Sequence, residues 1–527
     1  MKSPVKHFEL LDRLRGVAIL AVLLFHTLSM VFGYDVLPWR GWFRDFSTAG
    51  SFLYFLPLSI GNIGVPIFFV VSGFCIHLSF QSQGQRWGSF IIRRIFRIYP
   101  AYLVALFFFT LIYMQYFRLD FSSQLMWTQL ITHLFFVHNF LNGTIGGVNG
   151  SFWSIAVEAQ LYLLYPALLF LVGKLGWRRT MFLLAAIEIL IRSAYGLMET
   201  LGATDTIAGN IAWKFSISPL GYWFSWSLGA DIAEAYLKNQ PLTAVKISPR
   251  WWVLLAIGSY FVRPLDPFRF LLFAVATAAM ICRVLSGTGP KMKVPATAKN
   301  VLKKIGWWSY SIYLIHQPLL QVYSYVINWA VPPEDRSVPI AWLLNLTSWV
   351  PIILFSILLY QLIELPGITW GKRIIQKAVP RDGSEVAVET RRGKVLGGTL
   401  AGRFGLKICA LLIFFFGTYW ISAELVPPAP AANNNLAWSL ATNRDPTKRD
   451  GEMAVKLAED ACQRTQFKET IMVGTLAAAY AESGRFDEAI ATAQQACALA
   501  TKNGETNLLK RNQELLELYN AHTPARD

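Results

Sequence analysis

Arg15 and His26 are the first residues in the chain whose types and spacing could do chemistry, and nine of the ten residues between them form the apolar run Val17 to Phe25. At 100° per residue, eleven steps return to within about 20° of the starting face and rise roughly 16 Å. A helix here carries a guanidinium at the membrane edge and an imidazole near mid-bilayer on one side. Ionisable groups are costly in hydrocarbon and are read first as functional. The plainer alternative is a histidine hydrogen-bonded to a neighbouring helix, with Arg13 and Arg15 acting only as topology charges.

Further polar groups recur inside apolar stretches. Arg94 and Arg97, within ArgArgIlePheArgIleTyrPro at 93–100, stand one helical turn apart, and such a guanidinium fork suits phosphate or carboxylate oxygens. Lipid-headgroup anchoring is the competing reading. Glu158, Tyr162 and Tyr165 are expected on one helix face, where the carboxylate must meet a cation or hold a proton. Ser309, Tyr313 and His316 follow i, i+4, i+7 spacing and make a second polar face. Arg192 lies within another apolar stretch and needs a carboxylate or water. The Ser72-Gly73 pair is read as a place of close helix packing. His7, His77, His133, His138 and His522 are weaker candidates. Five cysteines with no CxxC pair indicate neither a disulfide framework nor a metal site.

The elements that must hold these groups are membrane helices. Of 527 residues, 54% are hydrophobic and 14% aromatic, and the mean hydropathy is +0.40; these values lie far outside soluble averages. Runs of about the 20 residues needed to cross a bilayer fall near 15–34, 59–81, 98–117, 153–173, 180–198, 216–237, 250–263, 267–285, 306–330 and 341–364, with one more at 404–424. The net charge of +16 does not indicate nucleic-acid binding, because the basic residues cluster in loops between apolar runs. With the amino terminus inside, Lys2, Lys6, Arg86, Arg93, Lys174, Arg178, Lys246 and the run from Lys372 to Lys407 are cytoplasmic, and the outer loops keep few cations such as Arg40 and Arg44. The expected class is all-α: a polytopic helix bundle of ten core spans plus one extra, followed by a small helical domain.

The expected domains are a membrane core at 1–375, a basic cytoplasmic linker at 376–403, the eleventh span at 404–424, a Pro/Ala/Asn linker at 425–435 and a repeat domain at 436–521. In the tail, Ala454, Val455, Ala458, Ala461 and Cys462 recur 35 residues later as Ala489, Ile490, Ala493, Ala496 and Cys497. This spacing resembles the tetratricopeptide repeat, in which small residues let paired helices approach closely. The first copy carries an insertion near Asp445–Gly451, the helical stretch 505–521 caps the stack, and residues near the end such as Ala525 are expected to be exposed.

Together the membrane motifs resemble the acyltransferase-3 family of integral membrane acyltransferases, over roughly residues 8–375. The matching stretches are Arg15 with His26, PhePheValValSerGlyPhe at 68–74, residues 93–100, TrpSerIleAlaValGlu at 153–158 with Tyr162, SerTyrSerIleTyrLeuIleHis at 309–316, and Glu364 with Pro366. The resemblance implies an acyl-CoA donor, with acetyl-CoA the leading candidate, on the cytoplasmic side, no metal, and a hydroxyl of a glycan or lipid-linked glycan as acceptor on the other side. Arg15, Arg94 and Arg97 would hold the donor phosphates. His26 would act as general base or carry the acyl group, Glu158 would orient or charge-balance the imidazole, and His316 or Tyr313 would donate to the oxyanion. Some relatives append a hydrolase-like domain that completes transfer; this tail has no GDS-type nucleophile motif, which favours direct transfer. The expected location is the bacterial inner membrane, amid its lipids, with the repeat domain periplasmic or extracellular and recruiting an envelope protein. A transporter or flippase using the same intramembrane groups is the alternative, although no second copy of the Arg15/His26 pattern exists.

Overall fold

The computed structural model describes residues 9–32, 60–141, 143–204, 206–240, 248–288, 295–378 and 400–527. Expectations for Lys2, Lys6, His7, Arg40, Arg44, Lys246 and nearly all of the basic linker lie outside the described residues. Among those residues the structure is helical throughout, without a strand, and seven helices are long and apolar enough to cross a membrane. The protein is an all-α polytopic membrane protein.

Backbone contacts at glycines set the packing of the first unit, residues 1–110 and 127–418. Helix α1 (Glu9–Phe32) crosses α10 (Ala296–Ala330), where a Cβ on Gly16 would fall 2.2 Å from the Leu302 carbonyl oxygen and one on Gly306 would fall 1.8 Å from that of Asp12. In the same way α2 (Gly64–Ser82) meets α7 (Trp223–Leu237), with Gly73 against the Trp226 carbonyl and Gly229 against that of Val70. Lipid supplies no hydrophobic drive between helices, so close approach through small residues is what holds such crossings. The packing role expected for Gly73 is therefore present.

Several elements depart from the expected runs for local reasons. The runs at 153–173 and 180–198 lie in one helical stretch, α5 (Phe152–Thr200), whose 49 residues would measure about 74 Å if straight, more than twice the hydrocarbon thickness. Gly176 breaks it at φ 76°, ψ 162°, a conformation open to glycine alone. The run at 216–237 is interrupted after α6 (Ile207–Ser216) by a 3-10 turn at Pro219–Tyr222, whose first free amide, Leu220 N–H, donates to Ser218 Oγ at 3.2 Å. Helices α3 (Trp87–Phe117), α4 (Gln124–Leu134), α8 (Pro249–Phe261) and α9 (Arg269–Leu285) complete the part before α10. After it, the run at 341–364 is divided into α11 (Val338–Thr347), α12 (Trp349–Leu359) and a π turn at Tyr360–Glu364 that leads into α13 (Leu365–Ala378). Pro366 has no N–H to offer Leu362, so the ladder opens there.

The second unit comprises residues 111–126 and 419–527. The eleventh apolar run forms α14 (Leu400–Leu425), whose later part lies in this unit. The expected linker at 425–435 is shorter than its composition suggests, because Pro430 starts α15 (Pro430–Thr442) at a position where its missing N–H costs nothing. Helices α16 (Gly451–Arg464), α17 (Thr470–Glu482), α18 (Phe486–Asn503) and α19 (Thr506–Asn520) follow. Ala454, Ala458 and Ala461 on α16 and Ala489, Ala493 and Ala496 on α18 are all fully buried, so the 35-residue echo is an echo of contact positions. The expected insertion is a 3-10 turn at Pro446–Lys448, followed by Asp450 capping α16. Ala525 corrects the expectation of exposure: it is 4% exposed, since the Asp527 amide donates to the Thr442 carbonyl at 2.9 Å and Trp438 Nε1 donates to the Asp527 carboxylate at 2.9 Å. Cys462 is likewise enclosed, and burial pushes its thiol up to about 12.

The crossing of α1 and α10 makes a direct prediction. Gly306→Ala, which forces a methyl into the Asp12 backbone, should destabilise the detergent-solubilised protein by about 1–3 kcal/mol, the usual cost of overpacking. Gly258→Ala on α8, where nothing lies within 4 Å, should leave the thermal midpoint unchanged or slightly raised. Equal midpoints for the two variants would show that the crossing is not tight.

Candidate active site

Helices α1, α2, α3, α5 and α10 surround a cavity of about 110 Å³. Arg15, Ser72, Arg94, Arg97, Glu158 and Tyr313 are among its walls, so five elements distant in sequence contribute to one space. Gly16 and His26 are ten residues apart, and so are Gly306 and His316. From their shared crossing, each helix rises about 15 Å to its histidine. The two rings accordingly meet, with centroids 5.0 Å apart and planes inclined at 54°.

His316 is fully buried, and its Nδ1 lies 2.8 Å from the Tyr313 carbonyl oxygen. A carbonyl only accepts, so Nδ1 carries the hydrogen and, in the neutral ring, Nε2 presents a lone pair. That nitrogen is 3.4 Å from Ser151 Oγ, whose own proton goes to Gln317 Oε1. Tyr313 receives a hydrogen bond of 2.6 Å from Ser154 Oγ, which leaves its phenolic proton to be donated. Its ring links the cavity to the histidines, lying 5.3 Å from His316 and 6.2 Å from Phe68.

The charged groups divide by partner. Glu158 accepts from Ser72 Oγ at 2.7 Å and from Tyr162 hydroxyl at 2.6 Å. Arg97 forms an ion pair with Glu364, which lies in the π turn, is 1% exposed and also accepts from Ser311 Oγ at 2.6 Å. Arg15 stands 3.6 Å from Asp12 and donates to Cys75 Sγ at 3.3 Å, while Asp12 accepts from Trp307 Nε1 at 2.7 Å. Arg94 differs, for its guanidinium lies over the Phe90 and Tyr162 rings at 5.8 and 5.7 Å, and its Nε is buried without a hydrogen-bond partner among the described residues. Of the three cavity arginines, it is the one most available to an added anion.

Some expectations change. Tyr162 stays with Glu158, but Tyr165 turns away from that face toward His77 Nδ1 at 2.9 Å, and the other ring nitrogen of His77 meets Glu234 at 2.9 Å. His77 is therefore a buried structural link. Arg192 finds Glu188 one turn earlier at 3.5 Å, a partner that i, i+4 spacing on the same helix could have revealed. Ser72 does more than pack: its hydroxyl donates to Glu158 and it lines the cavity. Ser151 and Gln317 flank the motifs at 153–158 and 309–316 and carry no sequence signal of their own, whereas Ser154 lies within the first of these motifs. Among the described residues no group of three His, Cys, Asp or Glu could hold a metal ion.

Comparison with known proteins agrees with an all-helical membrane protein of the acyltransferase class. Residues 8–364, more than half of the chain, match the Acyltransferase domain family, and the protein belongs to the acyltransferase-3 family. It is an acyltransferase. It is 25% identical over 478 residues to YrhL of Bacillus subtilis (strain 168), provisionally named a peptidoglycan O-acetyltransferase, covering 84% of this chain and 66% of that one. Acyltransferase MdmB of Streptomyces mycarofaciens is 26% identical over 60% of this chain and 80% of its own. The peptidoglycan O-acetyltransferase OatA of Listeria monocytogenes is 26% identical over 63% of this chain, which spans only 52% of that relative. No solved structure gave a significant match.

Removing Arg97 would leave a buried carboxylate at Glu364. Arg97→Gln should therefore cost about 3–5 kcal/mol, and adding Glu364→Gln should restore much of it. Arg94→Gln should leave stability within about 0.5 kcal/mol, since it breaks no ion pair among the described residues. Thermal unfolding of the three variants checks this, and equal losses for Arg94→Gln and Arg97→Gln would contradict the division of roles.

Proposed function

We propose that the protein is an O-acyltransferase that moves an acetyl or other short acyl group from an acyl-CoA to a hydroxyl of a cell-envelope glycan. The observation that carries this reading is the meeting of His26 and His316 at 5.0 Å beside a cavity walled by three arginines. Arg94 holds donor phosphate through charge-assisted hydrogen bonds, with Arg15 and Arg97 supplying the remaining positive wall. His26 takes the proton of the acceptor hydroxyl as its oxygen attacks the thioester carbonyl. Tyr313, whose proton is uncommitted to Ser154, donates to the oxyanion. The carbon–sulfur bond then breaks, and the proton held by His26 passes to the departing thiolate. Because Nε2 of neutral His316 accepts rather than donates, His316 is a positioning partner for His26, and the oxyanion role falls to Tyr313. Glu158, hydrogen-bonded by Ser72 and Tyr162, fixes the shape of the cavity wall and supplies its negative charge. Relatives named as peptidoglycan O-acetyltransferases support the glycan acceptor.

His26→Ala should lower transfer by about two to four orders of magnitude while leaving acyl-CoA binding intact, as expected for loss of a general base. Single-turnover transfer and equilibrium binding by the purified protein check it. Transfer near the parental rate would remove His26 from the mechanism.

The reading also places the amino terminus in the cytoplasm, ten core spans before the basic linker, and the helical tail outside an inner membrane, where it recruits envelope proteins. A thiol at Gln513→Cys, exposed on α19, should react with a membrane-impermeant reagent on intact spheroplasts after Cys75, Cys282, Cys409 and Cys497 are replaced. Cys462 stays silent because it is enclosed. Reaction only after lysis would reverse the topology.

A further inference from the structure

A groove in the tail, with about 360 Å³ of open space, is walled by α15, α17 and α19, and one more wall residue, Asp527, comes from no helix. After α19, His522 takes the left-handed φ of 51° and its ring stacks on Phe486 with centroids 4.9 Å apart, so the chain turns back on itself. The segment from Thr523 to Asp527 has no regular structure and runs to α17 and α15.

The last three side chains of that segment are each received separately. Ala525 joins the buried cluster that holds Ala441 and Ala478. Arg526 pairs with Glu482 at 2.6 Å and donates to the Ala441 carbonyl at 3.3 Å, while Glu482 also has Arg449 at 3.5 Å and so keeps a partner if Arg526 leaves. Asp527 accepts from Trp438 Nε1 at 2.9 Å and stands 3.6 Å from Arg511, and its amide donates to the Thr442 carbonyl at 2.9 Å. Main-chain hydrogen bonding together with a separate place for each side chain is how a folded surface recognises an extended peptide.

The segment fills only part of the groove. The open space is within the roughly 300–1,000 Å³ of ligand sites, and its two charged wall residues, Arg511 and Asp527, are paired with each other. What it offers beyond them is carboxamide. Asn434 is 4% exposed, and its Oδ1 is buried without a hydrogen-bond partner among the described residues. Asn512 gives an Nδ2 proton to the Leu508 carbonyl at 2.9 Å, and its Oδ1 uses room left by Gly474, where a Cβ would come within 2.4 Å. An unpaired buried acceptor is costly, and an extended peptide supplies a main-chain N–H at each residue other than proline.

We propose that this groove docks an extended segment of another protein with the order small, basic, acidic, and that Thr523–Asp527 occupies the same places in cis until the partner displaces it. The proposal rests on the reading of the tail as a recruiting domain and adds the kind of segment recruited. Because the cis segment is tethered, it competes at an effective concentration on the order of millimolar, and only a partner that also uses the open space gains over it.

The test is fluorescence anisotropy of full-length protein in detergent with fluorescein-labelled Thr-Pro-Ala-Arg-Asp amide. The double variant Arg526→Ala with Asp527→Ala should bind the peptide saturably and at least tenfold more tightly than the parent. Adding Trp438→Phe, which removes the Nε1 donor, should weaken that binding about tenfold, and so should Asp→Asn in the peptide, which leaves the protein unaltered. A probe with three alanines at each end should bind several-fold more tightly than the short one, and Asn434→Ala should remove that gain. No acyl donor is present, so the outcome is separate from the transfer assay of His26→Ala and from the labelling of Gln513→Cys. The proposal is overturned if the double variant binds no better than the parent, if the Asn peptide binds as well as the Asp peptide, if the longer probe gains nothing, or if triacetylchitotriose displaces the peptide.

Discussion

The contact of Gly16 and Gly306 with the opposing backbones is the constraint on which the candidate active site depends. Neither position has room for a methyl group, so α1 and α10 pack at a separation that only glycine permits. Equal ten-residue rises from that contact then bring His26 and His316 to one depth, where the rings touch. The same contact fixes Asp12 against Trp307, and through Asp12 it fixes Arg15 at the cavity mouth. A wider crossing would separate the histidines and release the arginine together.

Much of this was legible in the sequence, because ionisable residues in hydrocarbon are conspicuous. Arg15, His26, Arg94, Glu158, Tyr313 and His316 stand out by type, and their spacing on single helices follows from 3.6 residues per turn. What periodicity does not give is which helix faces which. Tyr165 sits one turn after Tyr162 but points to His77, because α7 brings Glu234 there to complete the pair. Ser72 likewise looks like half of a packing motif until α5 places Glu158 2.7 Å away. The break between the runs at 153–173 and 180–198 is legible in the basic residues between them, and Gly176 supplies it through a positive φ, whereas the π turn within the run at 341–364 has no such signal.

The π turn at Tyr360–Glu364 shows how a backbone irregularity serves the charged wall. Pro366 removes one donor from the ladder, and the turn before it carries Glu364 into reach of both Arg97 and Ser311. An isolated arginine beside the bilayer would seek water or headgroups. Paired with a buried carboxylate, Arg97 instead becomes part of the frame against which Arg94 is held over its two aromatic rings.

Three arginines on one cavity therefore do not make three equivalent anion sites. Arg97 spends its charge on Glu364 and Arg15 shares its own with Asp12, so a bound polyanion is attracted by the whole wall but hydrogen-bonds most readily to Arg94. A second cavity in the same unit, walled in part by Arg192, Tyr222, Asp266 and Arg269, carries this division further, since each of its guanidiniums already has a carboxylate. The rings of Phe69 and Tyr222, 4.9 Å apart, separate the two spaces. Tyr313 lines the first cavity, its ring lies 5.3 Å from that of His316, and His316 in turn meets His26, so the three groups form one continuous row from the cavity wall.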